Sequence, residues 1–194
     1  LAQAQAAREI DGVYIRPSYW VIHNYSQDES HPDAEGFILN GELSARVSTW
    51  VDAWEAGSDT LEGDWIGCRL LSWERSGTTV VLKFNVPLKH LGHKLVYDAT
   101  SLPAMPKWGI EFLDNGTPIT ISGDPVITAD DEITITLSTT PSGTESVRLG
   151  YTNTTSTVTP GGTYTYPGTN IRTSWSQPSA YVPGAILHDW AIME

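Results

Sequence analysis

The sequence predicts an α/β segment followed by an antiparallel β-sandwich, and three observations carry that reading. Residues 1–57 alternate helical and strand-like patterns. Residues 65–194 are a succession of short β-rich runs punctuated by turn residues. Between them lies a polar, glycine-containing break, "EAGSDTLEGD" (55–64), the candidate boundary of the two domains.

The first segment opens on "LAQAQAAREI", good helix formers with neither the charged start nor the apolar core of a signal peptide. It reads as if the chain enters in the middle or at the end of a helix. "GVYIRPSYWVI" (12–22) is rich in Val, Ile, Tyr and Trp and predicts a buried strand interrupted by Pro17. After the polar "HNYSQDES", Pro32 suits the first position of a helix, and Asp33 and Glu35 suit its first turn, where negative charge is favoured. Leu39, Leu43, Val47, Trp50, Val51 and Trp54 recur at helical spacing, so one face is apolar to about Trp54. Gly36 and Gly41 cost helix stability and are expected where the helix packs closely on something.

In the second segment "WIGCRLLSW" and "TTVVLKFNV" flank "ERSG" and predict a hairpin. "KLVYD", "GIEFL", "PITIS", "EITITL", "VRLGY" and "AILHDWAI" predict further strands, with turns at "DNG" (114–116), "SGD" (122–124), "PSG" (141–143) and "PGG" (160–162). In the last strand, Ile186, His188, Trp190 and Ile192 alternate with Leu187, Asp189 and Ala191, which predicts one apolar face and a buried Trp190. The Thr-rich stretch "YTNTTSTVTPGGTYTYPGTN" predicts an exposed loop or edge ribbon.

Composition excludes several functions. The 11 Lys and Arg against 23 Asp and Glu leave a net charge of −12, which argues against non-specific nucleic-acid binding. Such an acidic balance fits a soluble protein in a crowded or extracellular setting. No apolar run approaches the roughly 18 residues of a membrane span. Cys68 is the single cysteine, so neither a disulfide framework nor a cysteine zinc site is expected; amid Trp65, Ile66, Leu70 and Leu71 it reads as an inert buried thiol. His90 and His93 in "KHLGHK" lie beside Lys89 and Lys94 with no acidic neighbour in sequence, and "ADDE" (129–132) reads as a turn before a strand. No metal or other cofactor is therefore expected. Arg172 and Asp189 are expected to pair between the terminal strands.

Two groups of residues carry possible chemistry. Asp28 and His31 stand as an Asp-x-x-His pair in the polar stretch just before the helix. Tyr164, Tyr166, Trp175 and Tyr181 lie in loop-like, polar sequence, where aromatic faces would suit the apolar C–H faces of sugar rings.

The block Asp28-Glu29-Ser30-His31-Pro32, with "GFILNGELSA" after it, resembles the last conserved block of the SGNH (GDSL-type) hydrolases. The β-rich remainder, through "FNVP", "WGIEFLDNG", "GTNIRTS" and "GAILHDWAI", is similar to the jelly-roll-like domain that follows this block in sialate-O-acetylesterase-like and phage-encoded relatives. The resemblance implies that residues 1–57 end a flavodoxin-like α/β domain. It also implies that His31 deprotonates a serine and that Asp28 orients and stabilises the imidazole, with a carboxylate oxygen about 3 Å from a ring nitrogen. The family's Gly-Asp-Ser nucleophile block and its oxyanion-hole glycine and asparagine are not identifiable in these residues.

The function this implies is the C-terminal portion of a carbohydrate esterase acting on acetylated polysaccharide, inactive alone. The alternative is a non-catalytic glycan-binding or attachment module. Either belongs outside the cell or on a virion surface. A flavodoxin-like remnant would leave Val13, Ile15, Val21, Ile22, Leu39 and Leu43 as a broad apolar surface, so residues 1–55 are expected to be covered by the N-terminal part of the same protein or by a neighbouring subunit.

Overall fold

Alternation of apolar and polar residues sets the architecture of the second segment. The computed structural model describes residues 32–57, 67–151, 153–158 and 162–192, with the backbone alone for 50, 54, 153–158 and 162–167. The expected strand at 12–22 lies outside the described residues, as does most of the break at 55–64.

Strands β1 (Arg69–Ser76) and β2 (Thr79–Asn85) form the expected hairpin, closed by Ser76 opposite Thr79. Strand β3 (Leu95–Tyr97) follows, then β4 (Ile110–Asp114), β5 (Thr117–Ile119), β6 (Ile121–Ala129), β7 (Glu132–Leu137), β8 (Glu145–Leu149), β9 (Asn153–Val158), β10 (Gly162–Pro167), β11 (Ile171–Pro178) and β12 (Ile186–Trp190). They pair antiparallel into sheets of order β1-β2-β7-β6, β5-β4-β8 and β12-β11-β3, with β9 and β10 as a two-stranded ribbon. The ribbon is the form the Thr-rich sequence led one to expect.

Every second residue of β2 (Val80, Leu82, Phe84) and of β7 (Ile133, Ile135, Leu137) is buried. They share one core with Ile110 and Phe112 of β4, Leu149 of β8, Leu95 of β3 and Ile171 of β11. The four-stranded sheet thus faces the two three-stranded sheets across an apolar layer, the arrangement of a β-sandwich. Trp73 of β1 meets Phe112 edge to face at 5.4 Å.

Turn chemistry fixes the register. At "DNG", Asn115 (φ 51°) and Gly116 (φ 77°) both take the positive φ that a two-residue hairpin turn needs. Asp114 accepts the backbone N–H groups of Ser142 and Gly143, tying this hairpin to the "PSG" loop. "SGD" is not a turn, however. It lies inside β6, where the register with β7 shifts between Ser122 and Val126, so the left-handed Gly123 (φ 67°) serves a β-bulge.

The two smaller sheets meet at a left-handed turn. Lys107 (φ 48°), Trp108 (φ 60°) and Gly109 (φ 83°) are left-handed in succession, at a cost of about 1–3 kcal/mol for each non-glycine residue. Gly150 donates its N–H to the Gly109 carbonyl at 2.9 Å; Asn170 N–H and the Thr169 hydroxyl both donate to the Trp108 carbonyl, at 3.1 and 2.8 Å. A Cβ at position 109 would run into the Gly168 carbonyl oxygen, so only glycine fits.

Helix α1 (Ala34–Glu55) starts later than the sequence suggested. Asp33 is its cap, accepting Gly36 N–H at 2.8 Å, and Pro32 precedes the cap rather than opening the helix. Leu39, Leu43, Val47 and Val51 are buried as a stripe. Gly36 is buried, but a Cβ on the exposed Gly41 would meet nothing within 4 Å, so close packing does not explain that glycine.

Candidate functional site

The helix that follows the Asp-x-x-His motif is fastened to the sandwich by a polar clamp. Leu39 and Leu43 pack with Val182, Ala185 and Leu187, with half-buried Trp175 alongside. These two leucines were expected to await a cover from another polypeptide; they pack instead on this chain's own β11–β12 loop and on Leu187 of β12. The reason is that β12 is covered on both sides. Leu187 packs with the helix residues, and at the end of the strand the successive Asp189 and Trp190, which point to opposite faces, are both buried. Trp190 is fully buried as expected, but Ile186, counted to the apolar face, is 52% exposed, and Asp189 on the opposite face is buried.

One turn along from Leu43, Arg46 forks onto Asp189. Its two terminal nitrogens each donate to one carboxylate oxygen, Nη2 to Oδ2 at 2.6 Å. The guanidinium also lies over the Trp175 ring, 3.4 Å from its centroid. Burial pushes the Asp189 carboxyl above its ordinary range, and the bonded guanidinium opposes that shift. Four residues before Arg46, Glu42 accepts the Ser179 hydroxyl at 2.5 Å and the Ala180 N–H at 2.7 Å, pinning the β11–β12 loop. Between the helix and the strands runs a groove of about 320 Å³, lined by Glu42, Arg46, Thr49 and Gln177 among others.

The expected Arg172–Asp189 pair does not form. Asp189 has Arg46, and the Arg172 Nε donates instead to Asp98 at 2.7 Å. Asp98 is nearly buried, and burial alone would raise its carboxyl. The N–H and hydroxyl groups of Ser101 and Thr100, with Arg172, outweigh that and hold it well below the usual carboxylate range. Beside it the buried Asn170 amide is fully used: Oδ1 accepts Met105 N–H at 2.5 Å, and Nδ2 donates to the Asp98 and Pro103 carbonyls at 2.8 and 3.1 Å. This network secures the loop after β3. Its signal in the sequence is "YDATS", an aspartate able to bond the N–H groups two and three residues on.

Asp28 and His31 lie outside the described residues. Tyr164 and Tyr166 lie on β10, in backbone only. Trp175 sits in β11 rather than in a loop, and Arg46 covers one face of its ring. Tyr181 is on the β11–β12 loop and 74% exposed. The polar composition of β11 disguised it, because Arg172 serves Asp98 and Ser174 accepts the Lys94 N–H. His93 Nδ1 meets the Ser174 hydroxyl at 3.2 Å, while Lys89 finds in space the acid it lacks in sequence, Asp131 of the "ADDE" turn, at 2.6 Å. His188 is held below the ordinary imidazole range by burial and by the nearby Arg172 charge. Burial, with Asp189 nearby, pushes the Cys68 thiol far up, which makes it unreactive. Among the described residues, no three His, Cys, Asp or Glu side chains gather as metal ligands, and no helix is long and apolar enough to cross a membrane. No family model, curated protein or solved structure matches the chain.

Proposed function

We propose that this chain is the C-terminal portion of an SGNH-type carbohydrate esterase that removes O-acetyl groups from a polysaccharide outside the cell or on a virion surface. The observation that supports this most is the anchoring of α1. The Asp28-x-x-His31 motif leads directly into a capped helix that the Arg46–Asp189 clamp fixes to the β-sandwich. A base must stay within hydrogen-bond reach of its nucleophile, and a fixed helix next in sequence to the motif suits that need. In this reading His31 is the base, Asp28 its orienting partner and the sandwich the brace. The serine and oxyanion donors come from a polypeptide segment outside these residues.

The test is acetate release from O-acetylated polysaccharide by the product of the whole gene. His31→Ala is expected to lower the rate about 10³-fold or more, and Asp28→Asn comparably. Undiminished release by the His31→Ala protein would contradict the reading.

One feature favours the second reading, a non-catalytic glycan-binding or attachment module. Tyr181 stands largely exposed on a loop that Glu42 holds in place, which suits an aromatic contact for sugar. Binding without acetate release from any form of the gene product would select it.

A further inference from the structure

We propose that the groove between β3 and the end of β6 is a sugar-binding site, with Tyr97 as its aromatic platform and Lys94, Thr128 and Asp130 as its polar rim. This rests on the reading that the chain engages polysaccharide, but it needs neither Asp28 nor His31.

The groove has a volume of about 450 Å³ and is lined by Tyr97, Ile127 and the three rim residues among others. Its walls belong to different sheets and are tied together by Leu95, which donates its N–H to the Asp130 carbonyl at 2.7 Å. Tyr97 is 38% exposed, and its ring is stacked on Trp108, with centroids 4.6 Å apart and planes 22° from parallel. Trp108 is held by the left-handed turn. Its carbonyl is fixed by Thr169 and Asn170, and the neighbouring Lys107 ammonium donates to the Gly123 carbonyl in the β6 bulge.

Backbone strain of this kind persists only where surrounding bonds enforce it, and here it sets an indole behind an exposed phenol. The outcome is a flat, stiff aromatic surface beside a hydroxyl, an ammonium and a carboxylate. A sugar ring presents an apolar C–H face and a hydroxyl rim, which matches that combination. The rim carries one cation and one anion, so a neutral sugar fits it better than a charged one.

The test is titration of the full chain with oligosaccharides of cellulose, xylan, mannan and chitin, plain and O-acetylated, followed by calorimetry and tryptophan fluorescence. At least one is expected to bind and to change the fluorescence. Tyr97→Ala is expected to weaken it about tenfold, Lys94→Ala by less, and Tyr181→Ala not at all. Lys94 is exposed, so its variant keeps the test decisive should Tyr97→Ala unfold the chain. The proposal is overturned if no oligosaccharide binds, if both the Tyr97→Ala and Lys94→Ala proteins bind as tightly as the parent, or if Tyr181→Ala alone abolishes binding. Failure of the gene product to release acetate would leave these titrations unaffected, so the two readings fail separately.

Discussion

The sandwich core and the α1 interface are held by different physics. Between the sheets, Phe84, Phe112, Ile133, Leu149 and Ile171 meet without any charged partner. Between α1 and β12, a small apolar patch around Leu39 and Leu43 is flanked by Glu42 and by the Arg46–Asp189 pair. An apolar core is strong and tolerant of which hydrophobic residue fills it, whereas an ion-paired seam fixes a single register and loses heavily when one partner goes. The difference teaches that α1, which buries an apolar stripe, is fixed in register by polar matching as well.

Breaking the core gives the largest effect. Phe112→Ala is expected to cost about 3–5 kcal/mol in denaturant unfolding, the usual loss for a fully buried aromatic. Gly109→Ala is expected to be comparable, through the clash with Gly168 rather than through a cavity. A loss below about 1 kcal/mol for either would mean that the sheets are less tightly joined than described.

At the seam, Arg46→Ala is expected to cost about 3 kcal/mol, because it strands the Asp189 carboxylate. The double replacement Arg46→Met with Asp189→Leu is expected to recover most of that loss, since neither charge is then buried. A loss in the double variant equal to the sum of the losses from the two single replacements would show that the pair does not couple.

Acid sharpens the comparison. Asp98 has its carboxyl depressed in the folded state, so its contribution is present above the unfolded carboxylate pKa of about 3.9 and is lost as pH falls below it. Urea midpoints measured down through that range are expected to fall more steeply for the parent than for Asp98→Asn. The smallest effect is a gain. Gly41→Ala, in open space on α1, is expected to add about 0.5–1 kcal/mol, and a loss instead would reveal a contact on that face.

These differences also explain what could be read in the sequence. Local rules found the β1–β2 hairpin, the Asn115–Gly116 turn and β7, because alternation and turn chemistry act over a few residues. Partners distant along the chain were not legible. Arg46 and Asp189 are 143 positions apart, and nothing in either neighbourhood names the other, so Arg172 looked the better match. The extent of β11 through Trp175 was hidden because Arg172 and Ser174, polar in sequence, serve Asp98 and the Lys94 backbone. Of the candidate site, the types and spacing of Asp28 and His31 were legible as a motif. The clamp that anchors the following helix was not, since it exists only once α1 meets β12.

The most direct measurement is amide hydrogen exchange on the parent chain and on Arg46→Ala, read separately for α1 and for β2 and β7. If the Arg46–Asp189 pair holds the helix on the sandwich, protection of the Leu39–Val51 amides drops by about 100-fold in the variant, while that of Val80–Phe84 and Ile133–Leu137 is unchanged. Equal loss in helix and strands, or no loss in the helix, would contradict the account.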